Sequence, residues 1–379
     1  MLANLTVEEN SLPAMKNLRD LAGLDGTCVT LYLGGHRAGS GSRPMKVRLP
    51  AMLTEAERLL DERGVLPTDQ ESLLAPLRAL AKDPDMGAGN GDGLAIFRTS
   101  RHFEQMTLPW EVADLVAVEG CPLLTPLVRG MESHREFLLL ALSRKHTRLL
   151  ECGPSGQHNL ELPAVVPQGI EGDFDPSQRT LGKTSAGVQF GYDTFSEKQP
   201  QHFHDFCRAL DRALQPLLEE RGLPLVLMGT TAEQAAYRAV SKHPLLVPDG
   251  IDGSPDAGRT GPELAEKGRA ALRSWQPAEM RHAIELYLKD GPGKKSAEMD
   301  EILREAAAGR VMHLFLTGDI SQRGNVDLIL GRVLPSGSPL GDRDNLANAA
   351  AMETWRHHGQ VWSVDEAVDG TAIAAVFRW

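Results

Sequence analysis

The 379-residue sequence is poor in aromatic side chains, which make up 5% of it, and it contains only four cysteines. So few aromatics argue against a broad platform on which nucleic-acid bases stack. The cysteines lie far apart and form no CxxC pair, which predicts reduced thiols rather than a zinc site or a disulfide framework. The most apolar short run, residues 137–142, is far shorter than the ~20 residues that cross a bilayer, so no membrane span is expected.

The sequence also has fewer basic residues than acidic ones. Forty basic residues stand against 51 acidic ones, which gives a net charge of −11. This balance argues against a protein that binds nucleic acid, DNA included, through its overall charge, although a local basic surface is compatible with it. The first ten residues carry two glutamates and no lysine or arginine, which is not typical of a secretory signal. Composition therefore predicts a cytoplasmic α/β protein of several domains.

Alternating strand-like and helix-like patterns divide the chain into three blocks, at residues 1–132, 133–250 and 251–379. β-rich stretches such as residues 27–33 predict strands, and apolar residues at helical spacing predict helices. Capping-box patterns at Thr68–Glu71 and Thr230–Glu233 predict two helix starts, and Ser296 predicts a third. A long amphipathic helix is expected from about Gln201.

The sequence lacks the common signatures of cofactor, metal and hydrolase sites. The glycine-rich stretches at residues 87–93 and 291–296 fail the spacing of a dinucleotide fingerprint and of a P-loop, respectively. None of the twelve histidines pairs at i,i+4, and no hydrolase motif is present. No cofactor and no metal site are therefore predicted.

Two polar loops remain as candidates. The first, residues 36–50, carries several basic side chains and no acidic one. Arg43, Lys46 and Arg48 are therefore candidate contacts to RNA phosphates, with an ordinary flexible basic loop as the alternative. The second, residues 181–193, is glycine-rich and lies in an unusually long stretch without an element pattern. Such stretches are either functional or disordered, and both interpretations stay open.

The predicted segments follow one another in an order that resembles a known superfamily along almost the whole chain. This is the archaeo-eukaryotic peptide-chain release factor and pelota superfamily, and the resemblance is to its bacterial branch, most closely the third bacterial family. The segments that carry this resemblance run Val29–Gly39, Leu49–Leu60, Asp92–Phe97, Phe137–Arg144, Leu149–Glu151, Pro224–Leu227, Ala306–Val311 and Ala372–Trp379.

The resemblance implies three domains. The N-terminal domain would face the decoding site of the ribosome. The middle domain would have a ribonuclease H-like fold, and the C-terminal domain would be a ribosomal-protein-like αβα sandwich. The segment from Arg43 to Arg48 lies where release factors carry their codon-reading loop, but the Asn-Ile-Lys-Ser signature is absent. The resemblance therefore does not imply codon reading.

Release factors present a Gly-Gly-Gln loop ahead of a long helix in the middle domain. Here Gly187-Val188-Gln189 lies in that neighbourhood, with valine in place of the middle glycine. A β-branched residue resists the backbone angles that glycine permits. By resemblance, Gln189 would be the catalytic residue that orients water, and Lys183 and Gly187 would contact the tRNA end. Pelota-type factors lack the tripeptide, so enzymatic activity stays undecided.

These observations predict a factor that binds the ribosomal A site, with ribosome and tRNA as partners, in rescue, recycling or hibernation rather than routine stop-codon release. Two alternatives stay open. One is a non-catalytic module that reuses the fold to bind a protein partner in a stress pathway. The other is a hydrolase whose pocket the sequence does not reveal.

Overall fold

The structure is a computed structural model that describes residues 15–24, 26–35, 44–83, 86, 92–142, 147–154, 156–162, 166, 195–253, 261–273, 275–289, 291, 293–318, 322–327, 332–334 and 344–378. The chain forms two compact units. Residues 1–133 and 278–379 together make the first unit, and residues 134–277 make the second. The three-domain division drawn from the sequence stays a prediction.

The N-terminal segment of the first unit is built on an antiparallel sheet in the order β3-β2-β1-β4. Its elements are α1 (Met15–Ala22), β1 (Cys28–Gly34), α2 (Met45–Glu62), α3 (Pro67–Lys82), β2 (Gly93–Arg98), β3 (Phe103–Leu108), β4 (Leu115–Glu119) and α4 (Thr125–Ser133). All seven residues of β1 are buried, because helices cover one face of this sheet and a second core covers the other. The strand and hairpin predicted here are confirmed.

The second unit contains a five-stranded sheet in the order β7-β6-β5-β8-β9. Strands β5, β8 and β9 are parallel, and β6 and β7 are antiparallel to their neighbours. The elements are β5 (Phe137–Ala141), β6 (Arg148–Gly153), β7 (Gly156–Asn159), α5 (Phe195–Arg221), β8 (Leu225–Gly229), α6 (Thr231–Arg238), β9 (Leu246–Asp252) and α7 (Gly261–Arg273). Helices α5 and α6 cover one face and α7 covers the other, which explains why β5 and β8 are buried throughout.

The C-terminal segment of the first unit has a sheet in the order β10-β16-β11-β15, with helices on both faces. Its elements are α8 (Ala278–Lys289), β10 (Lys295–Ser296), α9 (Met299–Ala307), β11 (Val311–Thr317), β12 (Arg323–Asp327), β13 (Arg332–Leu334), β14 (Asp344–Asn345), α10 (Leu346–Arg356), β15 (Gln360–Val364) and β16 (Ile373–Phe377). Strands β12 to β14 form a separate small sheet. None of the helices in the described part of the chain is long and apolar enough to cross a membrane.

The helix starts agree with the sequence patterns in part. The capping box at Thr230 and Glu233 is confirmed, with reciprocal bonds between each side chain and the other residue's backbone N–H. The capping box predicted at Thr68 is wrong, because α3 already starts at Pro67, whose fixed φ suits the first helical turn. Ser296 lies in β10, and Glu298 is the N-cap of α9. Helix α5 starts at Phe195, six residues before the predicted position.

The two segments of the first unit share one apolar core, to which α1, α4, α9 and α10 contribute. At its centre the fully buried side chain of Asn348 links the segments. Its Oδ1 accepts from the backbone N–H of Leu124 at 2.9 Å, and its Nδ2 donates to the carbonyl of Pro122, also at 2.9 Å. Because the whole amide is buried, these bonds fix how α10 meets the strand-to-helix turn before α4.

We expect Asn348→Ala to lower the free energy of unfolding strongly. The change leaves a buried N–H and a buried carbonyl unpaired, and each such group costs about 1–3 kcal/mol. Chemical denaturation of the full chain measures the loss. The matched control is Gln105→Ala on β3, where the side chain is exposed and the change should be within about 0.5 kcal/mol. Equal effects of the two variants would contradict this role of Asn348.

Candidate functional site

The loop predicted over residues 36–50 is wrong at its C-terminal end, because residues 45–50, which include Lys46 and Arg48, form the first turns of α2 and bury Met45 and Leu49. Arg43 lies outside the described residues, and Pro44 is the N-cap of the helix. Lys46 is exposed in the first turn, beside Val47, which is 56% exposed. An exposed lysine at the rim of a basic loop has the placement that a phosphate contact needs. Lys46 therefore has the exposure that a phosphate contact requires, and its role as such a contact stays a prediction.

Arg48 lies in a different environment. Its guanidinium forms an ion pair with Asp114 and a hydrogen bond to the carbonyl of Gly34. Asp114 in turn accepts from the backbone N–H of Gly34 at 2.9 Å. The Arg48 side chain is only 18% exposed. Arg48 thus ties α2 to the end of β1, so its interactions are structural ones, and its role as an RNA contact stays a prediction.

The basic loop leaves β1 at a point where only glycine fits. A Cβ on Gly34 would lie 2.5 Å from the carbonyl oxygen of Val112, and one on Gly35 would lie 2.4 Å from that of Asp92. Both distances are far below van der Waals contact, so any side chain would push the backbone segments apart. The Gly34-Gly35 pair therefore fixes the backbone at the end of β1, where the predicted loop begins.

The second group of predicted residues, Lys183, Gly187 and Gln189, lies outside the described residues. The helix that follows them is described. Helix α5 begins six residues after Gln189 and runs for 27 residues. Its buried face includes Phe206, Leu210 and Leu214, which pack on the sheet of the second unit. The predicted loop therefore ends on a firmly packed helix.

A buried hydrogen bond strengthens this packing. Asp211 on α5 is buried and accepts from the hydroxyl of Tyr237 on α6 at 3.1 Å. The ring of Tyr237 is itself fully buried, so its hydroxyl needs this partner. The bond therefore locks α5 against α6 on one face of the sheet.

In parallel α/β sheets, ligands bind at the carboxyl ends of the strands. In the second unit, the buried side chain of Gln234 occupies this position. Its Nε2 donates to the carbonyls of Gly229 at 3.0 Å and Ile251 at 3.1 Å, and its Oε1 accepts from Arg238 at 3.0 Å. Gln234 thus links the ends of β8 and β9. The polar groups at this edge bond one another, which gives them a structural role.

A charged cluster that sequence reasoning missed lies at the end of β4. Glu119 is 2% exposed, and Arg323 lies 3.5 Å from its carboxylate. Next to it, Arg63 pairs with Asp344, which also accepts from the backbone N–H of Gly120 at 3.2 Å. These residues are up to 281 positions apart in the chain, so no local motif could reveal the cluster.

Burial raises the pKa of Glu119 to about 7; Arg323 opposes this shift and the Asp344 carboxylate adds to it. A raised carboxyl pKa is a common sign of proton-transfer chemistry. In this case the carboxylate is enclosed in the protein and faces two arginines that link the N-terminal and C-terminal segments. The arrangement fits a structural charge network better than an open catalytic centre.

The described residues contain no group of three or more histidine, cysteine or acidic side chains that could hold a metal ion. The four cysteines are buried free thiols. Burial raises the pKa of Cys28, Cys152 and Cys207 to about 12, so these thiols stay protonated at neutral pH. They pack as small apolar residues rather than as nucleophiles or ligands.

Comparison with protein-family models shows which family the middle of the chain is similar to. Residues 136–310 match Bacterial archaeo-eukaryotic release factor family 3. The matched segment begins at β5 and ends just before β11, and it includes all of α5 and the predicted loop ahead of it. The family resemblance drawn from the sequence is thereby confirmed over 175 of the 379 residues. No curated protein matches the chain significantly.

Solved structures give distant likenesses. The archaeal translation termination factor aRF1 is 13% identical, with 96% of each chain covered and a TM-score of 0.24. Dom34 of S. cerevisiae is 12% identical, with 73% of each chain covered and a TM-score of 0.36. Pelota of Archaeoglobus fulgidus is 13% identical over 76% of this chain and 79% of that one, with a TM-score of 0.33. At identities and scores this low, the likenesses support no conclusion about activity or partners.

The Glu119 cluster predicts a pH-dependent stability. A carboxyl whose pKa rises on folding from 4.5 to about 7 favours the folded state most below pH 4.5, and this contribution is lost as the pH rises through about 7. We therefore expect the stability of Glu119→Gln, relative to the unmodified protein, to improve between these two values and then level off. Urea unfolding across this range measures it, with the exposed Glu111→Gln as control. A difference that does not change with pH would contradict the assignment.

Proposed function

We propose that this protein is a cytoplasmic translation factor that binds the ribosomal A site in rescue, recycling or hibernation. Its residues 136–310 match family 3 of the bacterial archaeo-eukaryotic release factors. The observation that carries the proposal is the family match itself. It spans the segment in which the predicted tRNA-facing loop precedes a long, firmly packed helix.

The finer fold assignments belong to this proposal. The second unit would be the ribonuclease H-like domain. Its sheet, with three parallel strands, two antiparallel ones and helices on both faces, supports this. The C-terminal segment would be the αβα sandwich, and the helices on both faces of its sheet support that. A shared fold does not bring a shared activity, so function has to come from the loops.

In this proposal the basic loop contacts ribosomal RNA through Arg43 and Lys46. Lys46 has the exposure that such a contact requires. Arg48 would act indirectly, by holding the first turn of α2 against Gly34 and Asp114. The loop would then be presented from a fixed base, which lowers the entropy lost on binding.

If the protein hydrolyses peptidyl-tRNA, Gln189 would orient the attacking water, with Lys183 and Gly187 against the tRNA end. Such positioning lowers a barrier without acid–base chemistry. A Val188 side chain where release factors have glycine disfavours the backbone angles of that loop. The valine therefore favours a role in ribosome binding over a role in routine termination. It also agrees with the second candidate, a non-catalytic module that binds a protein partner.

We expect the purified protein to co-sediment with 70S ribosomes in a salt-sensitive manner. The variant Arg43→Ala/Lys46→Ala should bind more weakly, because removing a phosphate contact reduces both the affinity and its dependence on salt. Arg48 is left intact, because its removal would disturb the fold and confuse the result. Vacant and stalled ribosomes should be compared.

The matched control is Lys82→Ala/Arg101→Ala, which removes two exposed cations elsewhere on the first unit. It should sediment like the unmodified protein. Failure to bind any ribosome state at low salt would overturn the proposal and leave the protein-partner module as the next candidate. Equal losses in both double variants would exclude a specific role for the basic loop.

A second prediction concerns chemistry. If the Gly187-Val188-Gln189 segment is catalytic, Gln189→Ala should lower the rate of peptidyl-tRNA hydrolysis on the ribosome by at least tenfold without weakening co-sedimentation. Restoring glycine with Val188→Gly should raise that rate, because the loop regains the backbone freedom that valine removes. No hydrolysis by the unmodified protein or by Val188→Gly would show a binding factor without this activity.

A further inference from the structure

The C-terminal sheet brings basic residues from separate segments to one of its ends. Arg310 precedes β11, Arg378 follows β16, and Lys294 precedes β10. Backbone hydrogen bonds join them: Arg378 N–H donates to the carbonyl of Arg310, and Phe377 N–H donates to that of Lys294, both at 2.8 Å. The backbones of three cationic residues from distant sequence positions therefore lie side by side at one end of the sheet.

Two helices end at the same place and bring further basic residues to it. Helix α9 carries Arg304 in its last turn, and α10 is followed by His357 and His358. The ring of His357 lies against Gly309, since a Cβ there would be 3.1 Å from its Cγ. Arg378 donates to the carbonyl of His357, which ties the helix end to the sheet. We call Lys294, Arg304, Arg310, His357, His358 and Arg378 the basic end.

Two carboxylates next to the basic end, those of Glu305 and Glu353, pair with arginines. Arg310 holds Glu305 with two hydrogen bonds, and this contact lowers the pKa of the Glu305 carboxyl. Arg356 pairs with Glu353 at 2.9 Å and also donates to the carbonyl of Ala22. Lys294, Arg304 and Arg378 then remain as surplus positive charge.

Two of the surplus cations face solvent, whereas Arg378 is half-buried. Lys294 and Arg304 are exposed, and Arg304 forms a long ion pair with Glu305, at 3.8 Å. The carbonyls of both helix ends already accept backbone hydrogen bonds, for example Arg310 N–H to the carbonyl of Glu305 and His357 N–H to that of Glu353. These cations are therefore not needed to satisfy the helix ends.

Charge at the opposite end of the same sheet has the other sign. Asp365 and Glu366 follow β15, Asp369 precedes β16, and all three are exposed. The sheet is thus polarised along its strands, within a chain whose net charge is −11. Such separation raises the local concentration of an anionic partner at one end and repels it at the other.

We propose that the basic end binds the phosphate backbone of RNA. Three of its members are arginines, whose planar guanidinium matches phosphate oxygens in pairs. All six members are polar, whereas the buried centre of a protein–protein interface is mostly apolar. The inference goes beyond the proposed A-site role, because it assigns RNA contact to the C-terminal segment and holds for RNA free of the ribosome.

The test measures binding of the full chain to a double-stranded RNA oligonucleotide across a salt series, by fluorescence anisotropy. Lys294→Gln/Arg304→Gln removes two exposed cations of the basic end, one in a turn and one in the last turn of a helix. Lys82→Gln/Arg101→Gln removes the same pair of charges from the same kinds of position elsewhere on the unit. Circular dichroism verifies that each variant is folded.

The basic-end variant should bind RNA at least tenfold more weakly, with the slope of log affinity against log salt reduced by about 1 for each cation that no longer meets a phosphate. The control variant should bind like the unmodified protein. Absence of RNA binding, or equal losses in both variants, would overturn the proposal. Displacement of the RNA by polyglutamate at equal charge concentration would overturn it in favour of an acidic protein partner. Because no ribosome is used, these outcomes are independent of the A-site test.

Discussion

The first unit depends on one buried side-chain amide, which joins its N-terminal and C-terminal segments. Asn348 bonds the turn after β4 to the start of α10, and the apolar side chains of α1, α4, α9 and α10 close over it. A buried amide without partners would cost more than these bonds gain, so the position specifies one docking of the segments rather than merely favouring contact. The Glu119 cluster lies beside it and adds charged partners to the same connection.

The middle of the chain folds separately from the segments that Asn348 joins. Residues 134–277 form a compact unit of their own, and the segments before and after them belong together. The loop ahead of α5 is carried by a helix that its own sheet holds through Phe206, Leu210 and the Asp211–Tyr237 bond. A rigid base of this kind is what a positioning role for Gln189 would require.

Local patterns are sufficient for most of the helices and for the strands with long β-rich runs, whereas strands such as β4 and β9 are not predicted. The run around Leu31 and the capping box at Thr230 carry their information within a few residues, and both are confirmed. The start of α3 cannot be read in the same way, because Pro67 competes with the capping pattern at Thr68. The roles of Glu119 and Asn348 cannot be predicted from the sequence for a different reason. Their partners are distant along the chain, so only tertiary packing shows that Glu119 is buried and that Asn348 joins the N-terminal and C-terminal segments of the first unit.

The candidate site shows the same limit. Sequence reasoning groups Lys46 with Arg48 by their charge, and the structure separates them by their contacts. Lys46 is exposed, whereas Arg48 is occupied by Asp114 and Gly34. Net charge misleads in a similar way, since −11 suggests a poor partner for RNA while the cations around Lys294 and Arg378 gather at one end of a sheet. Electrostatic attraction acts over about 10 Å at moderate salt, so the charges near a surface decide what binds there, and the total matters less.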